Sequence, residues 1–489
     1  MSDARSFAID VALTAGVGLV AVLSNRLTER VRVPAPALVL VAAAIVVKVI
    51  PDLHAPPEQT VERLVTVALI CILFDGGMHI GWRRFRKAAG PIASIGVAGT
   101  FLCTAGVALL LHYAIRIDWY PAVLVATALA PTDPAVVFSV LGQREIAGRS
   151  GTILEGESGA NDPVGIALMA SLIAAGELSA GAFGHVAWEF LLQMGVGAAI
   201  GLVGGRLLLV FMRRVPLPSE ALYPLRTLAC AAALFGIAVV AHGSGFLAVF
   251  VAGIVIGDAR APYKRETELF HSALASLGEI VAFVVLGLTV DLRVLAQADV
   301  WIPGLVVSVV LAFVIRPLLA GPCLIPARLR RNEQAFVLFA GLKGAVPILL
   351  GSLILAAHLP NAERLYGIIV VVVVFSVVVQ GSLLPSVAEW LHIPMRTVEP
   401  EPWALGVRLR DEPNGVHRLT VARGSIADGQ TIADLDELPE DAWISFVVRA
   451  GQIVPVSKNT ALQPDDEALV LADADREAEL RAIFGVPPG

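Results

Sequence analysis

The feature that most constrains this chain is a series of apolar stretches, each about 20 residues long, which runs to about residue 391. A helix of about 20 apolar residues spans the ~30 Å hydrocarbon core of a bilayer. The composition agrees, because 56% of the residues are apolar and 16% are charged. Thirteen crossings are predicted, near residues 7–24, 35–50, 61–80, 90–113, 119–141, 151–176, 186–211, 221–241, 244–257, 271–290, 299–325, 333–357 and 363–391. The second and the ninth are short, so a count of twelve also fits.

Basic residues are distributed unequally between the loops that join these crossings. Odd-numbered loops carry 17 Lys and Arg residues, whereas even-numbered loops carry three. An excess of Lys and Arg marks the cytoplasmic loops of a membrane protein. The pattern predicts a multi-pass protein of the bacterial inner (plasma) membrane, with the N-terminus outside and the C-terminus in the cytoplasm.

Two of the predicted crossings contain residues that interrupt a helix. The fifth contains Pro131, Asp133 and Pro134, and the twelfth contains Lys343 and Pro347 in a glycine-rich stretch. Proline removes a backbone donor, and irregular backbone is tolerated inside a bilayer only where it lines a protein-enclosed cavity. The two lie seven crossings apart, which fits an inverted repeat and indicates a transport site near the membrane centre. A simpler alternative is that the prolines of the fifth crossing only kink a packed helix.

Asp162 lies in the middle of the sixth crossing. A carboxylate at the bilayer centre costs roughly 3 kcal/mol, so an acid there is a candidate ion or proton site. On a helix Ser158 shares the face of Asp162, while Glu157 and Asn161 share the adjacent face. The hydroxyl of Thr132, or carbonyls freed at the break, could complete an oxygen shell around one small cation. A single carboxylate that binds either a proton or a cation couples their opposite fluxes under alternating access.

Other charged residues in the predicted crossings have open roles. Asp133 either ligates the cation or caps the half-helix that begins at Pro134. Glu157 requires a basic partner, and Arg316 and Lys343 both lie inside late crossings. Because a buried ion pair is costly to break, Glu157 and its base are predicted to be structural.

Two more intramembrane acids are less informative. Asp75, near the cytoplasmic end of the third crossing, either lines an inner funnel or lies in a helix interface. Glu279, midway along the tenth crossing, has no role that a motif assigns beyond packing.

Neither the cysteines nor the charge balance indicates a cofactor or a polyanionic partner. The four cysteines are dispersed in apolar segments without metal-ligand spacing, so no cofactor is predicted, and no metal other than the transported alkali cation. Residues 400–489 hold 8 basic and 16 acidic residues, so no strongly basic domain is present and no nucleic-acid contact is expected.

Residues 7–391 resemble the NhaP-type and sodium/hydrogen-exchanger cation/proton antiporters. The motifs that carry the resemblance are Ala130-Pro131-Thr132-Asp133-Pro134, Gly156-Glu157-Ser158 with Asn161-Asp162, and Gly341-Leu342-Lys343-Gly344-Ala345. The resemblance implies a thirteen-helix inverted-repeat fold with a dimerisation domain and a moving core. It also implies that Asp162 binds cation and proton alternately, and that Asn161 beside it indicates electroneutral exchange. In the family the acid matching Glu157 pairs with an Arg, and Lys343 stands where Arg is usual.

The remainder of the chain is predicted to be a linker, residues 392–402, and a small α/β cytoplasmic domain, residues 403–489. Its short strand-like runs are Leu419–Val421, Thr431–Leu435, Ile444–Val448, Ile453–Val456 and Ala468–Leu471. The order of three segments, Asp428–Leu435, Val447–Gly451 and Leu462–Asp466, resembles the TrkA-C module of potassium-conductance regulators. The resemblance implies a dimeric sensor of a small ligand, with a passive dimerisation domain as the alternative.

Together these features predict a secondary active antiporter, not an enzyme, that exchanges a monovalent cation for H⁺ across the bilayer. K⁺ is favoured, as in the cell-volume-regulation branch of the family, which implies a homodimer and a role in pH and volume homeostasis. The alternatives are a Na⁺(Li⁺)/H⁺ antiporter whose tail only dimerises, and a transporter of another small solute. A potassium channel is disfavoured because no Thr-Val-Gly-Tyr-Gly-like filter exists. A serine protease is disfavoured because Ser158 and His242 are predicted at different depths.

Overall fold

The computed structural model describes residues 16, 19, 35–49, 56–141, 144–146, 148–259, 261–397, 415–435, 437–439, 442–449 and 452–485. The predicted first crossing lies outside the described residues except for positions 16 and 19, and so do residues 398–402 of the predicted linker. The chain divides into two compact units, Met1–Glu399 and Pro400–Gly489.

Helices account for nearly all of the described part of the first unit. They are α1 (Ala35–Val49), α2 (Glu58–Ala93), α3 (Thr100–Tyr113), α4 (Trp119–Ala128), α5 (Pro134–Leu141), α6 (Arg149–Ala175), α7 (Ala180–Arg214), α8 (Leu222–Val240), α9 (Gly245–Gly257), α10 (Lys264–Leu288), α11 (Ala298–Val310), α12 (Arg331–Phe339), α13 (Ala345–Ala356), α14 (Ala362–Val374) and α15 (Gly381–Trp390). A single helical turn, Leu292–Leu295, precedes α11.

Six helical stretches among the described residues are long and apolar enough to cross a bilayer. They are Gln59–Tyr113, Phe183–Arg214, Leu222–Val240, Lys264–Leu288, Ala298–Ala327 and Ala362–Trp390. Four shorter apolar helices lie at Leu38–Val47, Trp119–Ala128, Gly245–Gly257 and Ala345–Ala356. The predicted all-α polytopic architecture is confirmed, whereas the count of thirteen crossings stays a prediction.

The longest stretch bends where two predicted crossings meet. Gly81 interrupts α2 with φ 64° and ψ 161°, a backbone conformation that favours glycine because a Cβ is strongly disfavoured there. The interruption falls directly after the predicted third crossing, so the chain turns before the fourth.

Three wide, π-helical turns interrupt the long helices. They are Ser94–Gly99 between α2 and α3, Leu311–Ala320 after α11, and Phe375–Gln380 between α14 and α15. A short 3₁₀ segment, Gly321–Ala327, follows the second of them. Such wide turns are rare, and they occur frequently at functional sites.

Small residues set the spacing between the packed helices. α9 packs against α2 and α7, and α10 packs against α1 and α2. A Cβ added to Gly253 on α9 would lie 3.1 Å from the Cα of Gly77 on α2, so the two backbones touch. Close approach at small residues is how helices associate in lipid, where the hydrophobic effect does not drive them together.

The two predicted breaks are present and face each other. α4 ends at Ala128 and α5 begins at Pro134, while α12 ends at Phe339 and α13 begins at Ala345. The backbone N–H of Asp133 donates to the carbonyl of Leu342 at 2.8 Å, which joins the two non-helical segments. Pro347 lies in the first turn of α13, where its missing N–H costs little. The sequence prediction of two broken helices is therefore confirmed.

Two short strands form an unpredicted ladder. β1 (Arg144–Ile146) lies just before α6, and β2 (Met395–Thr397) follows α15. They pair antiparallel, with Arg144 opposite Thr397 and Ile146 opposite Met395.

The second unit contains a four-stranded antiparallel sheet in the order β3-β6-β4-β5. Its strands are β3 (Val416–Thr420), β4 (Trp443–Arg449), β5 (Gln452–Val454) and β6 (Glu467–Leu471), and α16 (Glu477–Phe484) follows. Leu480, Ile483 and Phe484 of α16 are buried in one cluster with Val447 and Val470 of the sheet. The predicted strand at Thr431–Leu435 is wrong, because Ile432–Asp434 form a 3₁₀ turn and Thr431 makes one isolated bridge with Ala461.

Candidate cation-binding site

One helix carries four polar side chains of the predicted site. Glu157, Ser158, Asn161 and Asp162 all lie in α6 and are buried. Pro163 follows them inside the helix and supplies no N–H, so the carbonyl of the residue four positions earlier lacks its usual donor. The helical spacing expected from the sequence therefore places all four side chains within about one and a half turns of α6.

Thr132, in the break after α4, is held by two of these side chains. The amide of Asn161 donates through Nδ2 to the Thr132 hydroxyl at 2.8 Å and accepts from the Thr132 N–H at 3.3 Å. The Ser158 hydroxyl donates to the Thr132 carbonyl at 2.5 Å. These bonds fix the break against α6, and they hold the hydroxyl and the carbonyl of Thr132 beside Asn161 and Ser158, which lie in the turn before Asp162.

Asp162, unlike Glu157, makes no ion pair among the described residues, and part of its carboxylate has no hydrogen-bond partner. Its Oδ1 atom is buried and has no hydrogen-bond partner among the described residues. The charges of Asp133 and Lys343 both act on it. A buried carboxylate oxygen without a donor is unfavourable unless it binds a proton or a cation.

Asp133 lies against the second break. Its carboxylate occupies the place that a Cβ on Gly344 would take, directly before α13 begins at Ala345. The N-terminal end of a helix carries partial positive charge and favours an acid. The two roles that the sequence leaves open for Asp133, ligation of the cation and capping of α5, stay predictions.

Lys343 lies on the opposite side of the crossing. Its Nζ donates to the carbonyls of Ala130 and Pro131, at 3.0 Å each, where the chain leaves α4. Its backbone N–H donates to the hydroxyl of Ser376 at 2.9 Å. The ammonium group therefore satisfies carbonyls at the C-terminal end of a half-helix, the end that favours a cation.

Glu157 pairs with Arg316 and not with Lys343. Arg316 Nη2 lies 2.7 Å from Glu157 Oε1, and both side chains are at least 96% buried. Arg316 also donates through Nε to the carbonyl of Leu338 at 2.8 Å, near the end of α12. Of the two bases that the sequence left open, the structure joins Arg316 to the acid. The structural role of the pair stays a prediction.

Asp75 lies apart from this cluster. Its carboxylate accepts from the hydroxyl of Ser272 on α10 at 3.0 Å and lies 3.3 Å from Nδ1 of His79, one turn along α2. Among the described residues, no hydrogen bond or ion pair joins Asp75 to Asp162. Its predicted place in an inner funnel stays a prediction.

No motif in the sequence predicts a role for Ser376 and Gln380. Ser376 accepts from the backbone of Lys343 and donates to Oε1 of Gln380 at 3.2 Å, and Gln380 Nε2 donates to the carbonyl of Phe339 at 2.5 Å. Their one signal in the sequence is polarity within a valine-rich run. They lie in the third wide turn and hold the break between α12 and α13.

A buried carboxylate at the crossing of two broken membrane helices, with counter-charges on their ends, defines an ion-coupled secondary transporter. Comparison with known proteins gives the same class. The family model described as the transmembrane sodium/hydrogen exchanger matches residues 17–390, and that of the TrkA-C domain matches residues 416–485. The chain belongs to the sodium/hydrogen exchanger family.

Named relatives cover most of the chain. It is 32% identical over 410 residues to the K⁺/H⁺ antiporter NhaP of Alkalimonas amylolytica, covering 83% of this chain and 71% of the relative. It is 29% identical over 442 residues to the K⁺/H⁺ antiporter NhaP2 of Shewanella sp. strain MR-4, covering 88% and 75%. The solved structure of the sodium proton antiporter MjNhaP1 from Methanocaldococcus jannaschii matches with a TM-score of 0.66 at 20% identity. That match covers 79% of this chain and 99% of the other, and it shows a shared fold.

Proposed function

We propose that this monovalent cation/proton antiporter exchanges K⁺ for H⁺ by alternating access, with Asp162 as the single carboxylate that binds either ion. The observation that carries the proposal is the buried Oδ1 of Asp162, which has no partner among the described residues and lies where two broken helices cross. The two ions compete for one group. Exposure of that group to each side in turn therefore couples their fluxes.

The proposed ligands are oxygen atoms of α6 and of the break beside it. Besides Asp162 they are the hydroxyls of Ser158 and Thr132 and the carbonyl of Thr132. Asn161 bonds to the hydroxyl and the N–H of Thr132, and Ser158 donates to its carbonyl. Asp133 adds negative charge from the start of α13 and is proposed to raise cation affinity without direct ligation. These assignments rest on geometry and on the motif resemblance.

The charge balance of the site supports electroneutral exchange. Asn161 is neutral, so the carboxylate of Asp162 takes up one proton or one monovalent cation. Either ion leaves the loaded site with the same net charge, and one cation therefore returns for each proton. Two adjacent acids would instead allow two protons for each cation.

K⁺ is proposed as the cation because the relatives named above are K⁺/H⁺ antiporters and because residues 416–485 match the TrkA-C domain. The alternative is Na⁺ or Li⁺, since the protein of similar fold is titled a sodium proton antiporter. In that case the C-terminal domain serves only for dimerisation.

We further propose the location, orientation, oligomeric state and regulation that the sequence predicts. The protein lies in the bacterial inner membrane, with the N-terminus outside and the C-terminal unit in the cytoplasm, and it is a homodimer that catalyses no covalent chemistry. The TrkA-C domain binds a small regulatory ligand. A reporter enzyme that is active only in the cytoplasm, fused after residue 489, tests the orientation.

Asp162→Asn tests the central proposal. Proteoliposomes with an imposed proton gradient receive K⁺, Na⁺ or Li⁺, and the dissipation of the gradient is followed with a pH-sensitive dye. We expect K⁺ to be most effective with wild type, and at least a ~100-fold loss of rate in the variant, because an amide takes up neither a proton nor a cation charge.

Asp299→Asn is the matched control, because Asp299 is an exposed acid that contacts Arg364. Full exchange by Asp162→Asn would refute the assignment of the carboxylate. A preference of wild type for Na⁺ or Li⁺ would select the alternative cation.

A further inference from the structure

Glu279 is an intramembrane carboxyl group that the site described above does not use. It lies in the middle of α10, in Ser276-Leu277-Gly278-Glu279-Ile280. Its Oε1 atom is buried and has no hydrogen-bond partner among the described residues. No described base lies within ion-pair distance of it. An acid in a membrane-spanning helix is costly, so packing alone is a poor explanation for its presence.

Glu279 lies on a helix that packs against one of the two broken helices. α10 packs against α13, the half-helix whose beginning lies beside Asp133. The charge of Asp133 acts on Glu279, and the same charge acts on Asp162. Glu279 therefore approaches the candidate site from a helix that takes no part in the crossing itself.

A stripe of polar side chains connects Glu279 with Asp75. Ser272, Ser276 and Glu279 are spaced four and three residues apart, so they share one face of α10. The Ser272 hydroxyl donates to Asp75 at 3.0 Å, and the Ser276 hydroxyl donates to the Ser272 carbonyl at 3.0 Å. Ser276 is exposed. Polar groups that line one face of a membrane helix face the protein interior or a water-filled cavity.

We propose that Glu279 is a second cation-binding carboxylate, which holds the alkali cation on the path between Asp75 and Asp162 and takes no part in the coupled exchange step at Asp162. The inference rests on the proposed function of Asp162. A carboxylate on a polar path raises the local concentration of cations. It therefore lowers the cation concentration at which the exchange site fills, without changing the exchange step.

Transport kinetics give the first test. Glu279→Gln in proteoliposomes should raise the KM for K⁺ by roughly five- to tenfold while the maximal rate stays within about twofold. Glu279→Asp, which keeps the charge, should restore most of the wild-type KM. Glu363→Gln is the matched control, because Glu363 is an exposed acid in the first turn of α14. An unchanged KM in Glu279→Gln would overturn the proposal, and so would a fall in maximal rate at unchanged KM.

Chemical labelling gives a test that does not depend on transport. A hydrophobic carbodiimide reacts with protonated carboxyl groups, and peptide mass spectrometry of the full chain in detergent measures the adduct on Glu279. K⁺ should decrease this labelling more than choline at equal ionic strength, in wild type and in Asp162→Asn alike. Equal labelling in K⁺ and choline would overturn the proposal. Protection by K⁺ in wild type that is lost in Asp162→Asn would also overturn it, since Glu279 would then bind no cation by itself.

The two proposals fail in different experiments. Exchange by Asp162→Asn refutes the proposed exchange site, whatever the labelling of Glu279 shows. A carbodiimide reaction at Glu279 that K⁺ does not change refutes the second carboxylate, even where Asp162→Asn is inactive.

Discussion

Arg316 and Lys343 occupy equivalent places at the two broken helices. Each buried cation faces carbonyls at the C-terminal end of one half-helix, Lys343 at α4 and Arg316 at α12. Their acidic counterparts differ, because Arg316 also pairs with Glu157, whereas Lys343 shares the crossing with Asp133 and Asp162. The first arrangement is predicted to contribute mainly to stability, and the second places a basic group beside the proposed exchange site.

Removal of the acid from the first arrangement should destabilise the protein. Glu157→Gln leaves the guanidinium of Arg316 buried without its anion, which costs about 3–5 kcal/mol of unfolding free energy. Thermal unfolding in detergent measures the change, and Glu363→Gln, at an exposed position, should stay within about 0.5 kcal/mol of wild type. A Glu157→Gln protein as stable as this control would contradict the structural role of the pair.

The residue types indicated the side chains of the candidate site, but they did not indicate which base pairs with Glu157. Asp162, Asn161, Ser158 and Thr132 stood out because polar residues at helical spacing in an apolar stretch are rare. The choice between Arg316 and Lys343 could not be made from the sequence, because both bases lie at suitable positions in late crossings. Arg316, which lies 2.7 Å from Glu157, is in the wide turn Leu311–Ala320, and the sequence does not predict that turn.

At the scale of elements, each of the three wide turns lies beside α6 or beside one of the two broken helices. Ser94–Gly99 contacts α6, where a Cβ on Gly96 would lie 2.8 Å from the Cβ of Ala160. Leu311–Ala320 supplies Arg316, and Phe375–Gln380 supplies Ser376 and Gln380. Each wide turn therefore supports α6 or a broken helix. None was predicted, because one extra residue in a helical turn leaves no mark in composition or periodicity.

Ser376 allows the third wide turn to be tested. Ser376→Ala leaves the buried N–H of Lys343 without its acceptor, which should cost about 1–3 kcal/mol and loosen the start of α13. Ser382→Ala is the matched control, because the Ser382 hydroxyl only donates to the carbonyl of Val378, four residues earlier in the same helical run.

Thermal unfolding and K⁺ exchange are measured for both variants. We expect the unfolding temperature and the exchange rate to fall in Ser376→Ala and to change little in Ser382→Ala. Equal effects in the two variants would show that the contact with Lys343 is unimportant.

At the scale of the whole molecule, the second unit has its own ion pair, between a partly exposed base and a buried acid. Arg449 donates through Nε and Nη2 to both carboxylate oxygens of Asp466, at 2.9 and 2.8 Å, and the N–H of Gln463 donates to the same carboxylate. The bonds from Arg449 hold the pKa of Asp466 below its usual value, although burial opposes them. They also raise the pKa of Arg449.

The sign of this shift predicts sensitivity to acid. The folded pKa of Asp466 lies below its unfolded value of about 3.9. The stabilisation is therefore complete above that pH and is lost as the pH falls through the folded pKa. Asp466→Asn should remove it at every pH and cost the unit about 1–3 kcal/mol at pH 7.

Hydrogen exchange of peptides from β4 and β6 of the full chain measures this change as an opening free energy. Asp473→Asn, at an exposed position of the same unit, is the control and should leave the protection of these peptides unchanged. Protection in Asp466→Asn equal to wild type at pH 7 would contradict the prediction.

The two units were not equally predictable. The membrane helices were indicated by apolar stretches of about 20 residues and by the charges of the loops between them. A signal that extends over so many residues is little affected by an exception at one position. In the second unit the run Thr431–Leu435 has the composition of a strand, yet its N–H groups bond to Thr460 and Lys458 around a short turn. Pairing partners that are distant in sequence decided its conformation, and its own residues do not specify them.

The ladder of β1 and β2 joins the beginning of α6 to the segment that follows α15. Three residues of backbone pairing, about 10 Å of strand, therefore fasten the start of α6 to the segment after α15. The two helices cannot slide apart without breaking this ladder first. A mechanical load applied to Thr397 is therefore transmitted directly to the helix that carries Asp162.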